Sequence, residues 1–268
     1  MENVRELFEI RARQASGRPP GPWRGMAGVL AGLGFLLASR PASAFDIKAL
    51  PATMPLMIDR PGHYNVTRDL VSSGSAIIIA ANDVVLDLHG HIISGFGFSG
   101  IAVQNASGVT IENGVLTGFN FGIYLKSASG STVTGNLLTG NEIGIVLDSS
   151  NNNALAGNAA TGNAEGIEID FSSNNTLSGN TASGNKYDGI FLSGSNNNAL
   201  TGNTASDNGF LGILLKGSNS NNTLTGNTAT GNGTSGKGYF DLFDGSPNCG
   251  SNTWTNNIFG TANQGCIN

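Results

Sequence analysis

The chain has 268 residues, a formal net charge of −5, only 12% charged residues and 40 glycines. Ordinary soluble domains hold about 7% glycine and about 25% charged residues; with 8 prolines and no three-residue glycine period, this bias is not that of collagen. After residue 44 there are 7 basic and 15 acidic side chains, and such a body excludes a nucleic-acid binder, because phosphate neutralisation needs a basic face.

Residues 1–44 predict a secretory signal. Six of the 13 Lys and Arg precede residue 44, an apolar stretch fills residues 26–39, and Ala42-Ser43-Ala44 supplies a small-x-small cleavage pattern. Phe45 is then the expected mature N-terminus, the destination is periplasmic or secreted, and no membrane span is expected after cleavage. Residues 45–75 lie outside the repeat that follows and are expected to form an N-terminal cap.

Over residues 76–247 the chain repeats itself. The pattern Gly-Ile-x-Leu, with small variations, starts at Gly100, Gly122, Gly144, Gly166, Gly189 and Gly212, in steps of 22 or 23 residues. A second pattern, Leu-x-Gly-Asn, places its Asn at Asn136, Asn158, Asn180, Asn203 and Asn227, and a further Asn follows at Asn141, Asn163, Asn185, Asn208 and Asn232. Every apolar run is short, alternating and closed by Gly or Asn, with no stretch of helical periodicity. Short strands at one coil per repeat predict an all-β parallel β-helix of about seven to nine coils. The first and third places after each Gly should point inward, the second and fourth outward. Gly and Asn suit left-handed corners, and stacked Asn side chains should form hydrogen-bonded ladders.

Residues 248–268 are expected to cap the C-terminal end. Cys249 and Cys266 have no Cys or His at zinc-ligand spacing, so a disulfide is expected between them.

These residues resemble the right-handed parallel β-helix superfamily, most closely its periplasmic NosD-like group, whose namesake is described as copper-binding. The resemblance covers about residues 60–260. It rests on the repeat, on the opening segment Pro61-Gly62-His63-Tyr64-Asn65-Val66-Thr67-Arg68-Asp69-Leu70, and on Leu86-Asp87-Leu88-His89-Gly90-His91-Ile92-Ile93-Ser94-Gly95. It implies the fold, and it leaves the activity open, because the superfamily also holds pectate lyases, polygalacturonases, alginate epimerases and carbohydrate-binding proteins. The polygalacturonase signatures and the Asp-Pro-His-Asp of alginate epimerases are absent from the sequence, so no family catalytic signature identifies an enzyme, and modification of a bound polysaccharide, as by a lyase or a glycoside hydrolase, stays open beside binding.

Two groups of residues carry the chemistry. The outward places of the Gly-Ile-x-Leu strands put Tyr124, Lys126, Asp148, Glu168, Asp170, Phe191 and Lys216 on one long strip. Sugar rings stack on aromatics and bond to flanking polar groups, so the expected partner is a polysaccharide or cell-envelope glycan, bound by a monomer. The carboxylates Asp148, Glu168 and Asp170 suit calcium. The second group, Asp87, His89 and His91, alternates along one strand and is a candidate metal set; copper is disfavoured, because it asks for several Met, Cys or His ligands and the remaining donors, Met54, Met57 and His63, are few. Two alternatives to glycan binding stay open. One is an envelope scaffold or a NosD-like metal-maturation accessory. The other is a flat surface-binding face built on small residues such as Thr181, Thr204 and Thr228.

Overall fold

The computed structural model describes residues 44–51, 55–236 and 238–268. The expected signal, except for Ala44, and the candidate donor Met54 lie outside the described residues.

The chain winds into a right-handed parallel β-solenoid of about eight coils. One coil shows the plan. Thr132–Thr134 joins a ten-stranded sheet, Leu137–Thr139 a five-stranded sheet, and Ile143–Asp148 a nine-stranded sheet. Isolated bridges along Ala159, Thr181, Thr204 and Thr228 continue the five-stranded face to a two-stranded sheet at the far end. All strand pairs are parallel and in the register that the repeat predicts: Ile145, Ile167, Ile190 and Ile213 form one column, and Leu147, Ile169, Leu192 and Leu215 the next. Both columns are buried and fill the interior together with Val133, Leu155, Leu177, Leu200 and Leu224 from the ten-stranded sheet. Among the described residues no helix is long and apolar enough to cross a membrane.

The segment expected to cap the N-terminal end already contributes strands. Phe45–Ile47 pairs with Gly62–Val66, which pairs with Val84–Asp87, while Leu56–Ile58 pairs with Ile77–Ile79. The first coil is therefore irregular in sequence and regular in backbone.

The glycines divide into two kinds. Gly135, Gly157, Gly179, Gly202 and Gly226 take the left-handed conformation that their corner requires. The glycine of Gly-Ile-x-Leu has no such need. It faces inward, and a Cβ at Gly166 would stand 2.4 Å from the carbonyl oxygen of Gly189 and 2.9 Å from Ala182 Cβ. Close approach of the next coil, not backbone conformation, explains that column.

The asparagines form three ladders. One runs Asn136, Asn158, Asn180, Asn203, Asn227 and Asn257; a second runs Asn141, Asn163, Asn185, Asn208 and Asn232; a third runs Asn153, Asn175, Asn198, Asn222 and Asn252. In each, a side-chain Nδ2 donates to the Oδ1 one coil further on, and the backbone N–H of the same residue donates to that oxygen too. Groups that only accept end the ladders. Asn232 donates to Asp241 Oδ1 at 2.8 Å, Asn252 to Asp244 Oδ2 at 3.0 Å, and Asn257 to the carbonyl of Asn268 at 3.0 Å.

The C-terminal seal is built on these acceptors. Asp244 also accepts from the indole of Trp254, which is buried under Leu224. Burial pushes the carboxyl of Asp241 up, and the N–H donors of Asn232, Thr261 and Gly260 outweigh that and hold it below the usual carboxylate range. A carboxyl lowered by folding stabilises the fold above its unfolded pKa, and that contribution disappears as pH falls through the lowered value. The melting temperature should therefore decline on acidification below about pH 4, and Asp241→Asn should show a shallower decline. Equal acid profiles for the two proteins would show that Asp241 carries none of the dependence.

The expected disulfide is formed. Cys249 and Cys266 are bridged with their Cα atoms 6.1 Å apart, 17 positions apart in sequence. Closing a loop of this length should stabilise by about 3 kcal/mol on the chain-entropy estimate. Urea unfolding of Cys266→Ser should give that difference, and an unchanged midpoint would mean that Asp241, Asp244 and Trp254 hold the end alone.

Candidate functional site

The nine-stranded sheet presents its outer face through successive strands at about 4.8 Å spacing. Along it, Gln104, Lys126, Asp148, Asp170, Ser193 and Lys216 stand in one in-register column. Ala102, Tyr124, Val146, Glu168, Phe191 and Leu214 form a second. The structure thus brings the seven strip residues onto one face, in the predicted order.

It does not leave them equally open. Tyr124 is 4% exposed and Phe191 6%, because alternation sets direction and not cover. Tyr124 packs with Ala102 and Val146 and meets the rings of Phe98 and Phe121, with centroids 5.6 and 5.1 Å away. Phe191 packs with Leu211 and Leu214, against Phe210, Tyr239, Phe240 and Phe243. The second column is therefore largely an apolar layer. The fourth-place column remains accessible: Lys126 is exposed, and Asp148, Asp170 and Lys216 are partly exposed, as is Glu168.

Asp148 is held in place. Its Oδ2 accepts from the Tyr124 hydroxyl at 2.8 Å and its Oδ1 from Ser149 Oγ at 3.0 Å. Asp170 lies in register beside it. Among the described residues no three His, Cys, Asp or Glu side chains gather closely enough to hold a metal ion. The calcium expected at Asp148, Glu168 and Asp170 therefore lacks a converged set of ligands.

The candidate metal trio separates for a physical reason. Its strand ends at Asp87, and a turn at His89, where φ is 48°, carries His91 to the next face. His89 pairs with Asp87, Nδ1 to Oδ2 at 3.4 Å, and His91 pairs with Asp69, Nδ1 to Oδ1 at 3.3 Å. The Ile92 N–H, donating at 2.9 Å, and then the His91 ring hold the Asp69 carboxyl below its usual range. These are two separate histidine–carboxylate pairs.

Sequence reasoning missed one residue of the face. Phe171 follows Asp170 at the corner and is 68% exposed. The same corner is occupied on other coils by Asn105, Ser127, Ser149, Gly194 and Gly217, all at positive φ. A phenylalanine in a column of small turn formers is the signal that could have found it. A row of rings at the opposite border was missed as well: Phe210 stacks on Tyr239 at 4.6 Å and meets Tyr187 at 5.0 Å, with Lys186 Nζ over the Tyr187 ring.

With this geometry in hand, the comparisons with known proteins fall into place. A family model described as "Periplasmic copper-binding protein (NosD)" matches residues 70–267. No curated protein sequence matches the chain. Among solved structures, pectate lyase Pel9A is similar at a TM-score of 0.59 and 15% identity, over 86% of this chain and 71% of that one. The periplasmic alginate epimerase AlgG is similar at 0.56 and 21%, over 71% of this chain and 50% of its own. The A-module of the Azotobacter vinelandii mannuronan C-5 epimerase AlgE6 follows at 0.54 and 17%, over 71% and 60%. The chain spans about half the length of AlgG. At these identities the likeness concerns the fold.

Proposed function

Because the chain belongs to the NosD family, matched over residues 70–267, we propose that it is an extracytoplasmic β-helix protein that binds glycan along the outer face of its nine-stranded sheet. The observation that carries this reading is the accessible column in which Asp148 and Asp170 stand in register between Lys126 and Lys216, beside the exposed ring of Phe171. Hydroxyl groups of a sugar chain laid along the solenoid would meet an amine, two carboxylates, the Ser193 hydroxyl and a second amine at successive rungs, with an aromatic surface beside them. Support comes also from the solved structures of the same fold, which include an alginate epimerase and a pectate lyase. The disulfide supports an oxidising compartment, as does the periplasmic character of the family.

Copper is implied by that description and fits poorly here. The two cysteines are bridged, His89 and His91 pair with different aspartates, and among the described residues no cluster of three donors exists.

The test is retention on a panel of polysaccharides in affinity electrophoresis. Asp170→Ala should weaken retention on the cognate glycan at least tenfold while leaving the melting temperature nearly unchanged, because the side chain lies on the partly exposed face. Phe191 is a poorer probe, since its burial ties any loss of binding to loss of packing. Parent-like retention of Asp170→Ala would move the site off this column.

A further inference from the structure

Resting on the glycan reading above, we propose that the ligand of this face is an uncharged or amine-bearing sugar, stacked on Phe171, and not a polyuronate. Three observations point to it. First, Phe171 sits at φ 46°, a left-handed conformation that a bulky side chain adopts only against steric cost. Its column neighbours on adjacent coils, Ser149 and Gly194, are residues that turn at little cost. The fold thus holds a large apolar ring where a small polar residue would fit with less strain.

Second, the ring has a seat. A Cβ at Gly194 would lie 2.9 Å from Phe171 Cδ1, so the absence of a side chain on the next coil gives the phenyl the space it occupies. The Cδ1–Cε1 side of the ring lies beside Gly194, and the residue is still 68% exposed. An exposed ring fixed against backbone is a platform of the kind on which the apolar face of a pyranose packs.

Third, the charge beside the platform is negative. Asp170 is the preceding residue, Asp148 is one rung away, and Glu168, two residues before Asp170 on the same strand, is also partly exposed. These three acidic groups face two amines, Lys126 and Lys216, and both arginines beyond residue 44 lie in the opening coil, at Arg60 and Arg68. Carboxylates accept hydrogen bonds from sugar hydroxyls and attract an ammonium group. Asp170 is adjacent to Phe171 in the chain, so a uronate stacked on that ring would bring its own carboxylate within about 10 Å of Asp170, the screening length at 0.1 M salt. Within that length the repulsion would be felt. The alginate epimerase and pectate lyase that share the fold carry names of polyuronate-acting proteins; the charge of this face sets this chain apart from such ligands.

The experiment compares retention of the purified protein on a soluble neutral β-glucan, a partially deacetylated chitin, alginate and polygalacturonate, with and without added calcium. The expected result is retention on the β-glucan or the chitin, at least tenfold stronger than on either polyuronate. Phe171→Asn, which suits the left-handed corner, should lose at least tenfold in retention with a melting temperature unchanged or raised. Asp170→Asn should narrow the discrimination against polyuronates. A preference below tenfold, a polyuronate bound through calcium as tightly as the neutral glycan, or a Phe171→Asn variant that binds like the parent overturns this inference and leaves the glycan reading standing. Retention on none of the four polymers overturns the glycan reading, and this inference with it.

Discussion

Replacing Asn180 by alanine is expected to cost about 3–5 kcal/mol of stability, more than a single hydrogen bond accounts for. The side chain is 1% exposed and makes four bonds. Its Oδ1 accepts from the backbone N–H and the Nδ2 of Asn158, each at 3.0 Å, and its Nδ2 donates to the Leu155 carbonyl at 2.9 Å and to Asn203 Oδ1 at 3.0 Å. Alanine removes all four and leaves two donors of Asn158 buried without their acceptor. Each buried group stranded in this way costs about 1–3 kcal/mol, and the packed coil interior offers water little access. Urea unfolding monitored by circular dichroism would give the difference. A loss below about 1 kcal/mol would mean that the ladder adds order and not stability.

Leu177→Ala should cost about 4 kcal/mol, in the upper part of the range for buried leucines. Leu177 is fully buried and lies in register between Leu155 and Leu200. The size of such a loss depends on whether neighbours can collapse into the cavity. Here the coils above and below are held at strand spacing by backbone bonds and by the asparagines three residues further on, so the cavity should persist. A loss near 2 kcal/mol would show that the stack can close over a missing side chain.

Much of this structure was legible because the period is covalent in its regularity. Each Gly-Ile-x-Leu strand lies against the next in the register its spacing implies, and two of the three ladders stand at the asparagines that the repeat singled out. The third ladder, from Asn153 to Asn252, hid in runs of consecutive asparagines, where periodicity does not say which member turns inward. Asn152, Asn174, Asn197 and Asn221 take the left-handed corner, and the following asparagine enters the ladder. The site was legible as a face and not as a surface. The pattern gives the direction of Tyr124 and Phe191, but their cover comes from Phe98, Phe210 and Phe243, which belong to other coils or to corners, and from Phe121, which opens the strand of Tyr124 outside the repeated motif. Asp87, His89 and His91 shared a strand only on the assumption that the strand continued past Asp87. Phe171 was overlooked because it sits where the repeat was read as turn.

The ladders also give the molecule a sense of travel. Every amide in them points its nitrogen toward the C-terminal end, and the backbone N–H that shares each acceptor oxygen leaves no freedom to reverse a single member. The stack is in this respect a polar polymer, with an acceptor end and a donor end that cannot be exchanged. Its interior rungs are interchangeable, since each hands on the same pattern that it receives; only the last must differ, and there Asp241, Asp244 and the carbonyl of Asn268 take what the final amides offer. Length is therefore a free variable of this architecture. A coil duplicated or excised in whole units of the repeat would alter how far the outer face of the nine-stranded sheet extends, while the terminators at the donor end would meet the same partners as before.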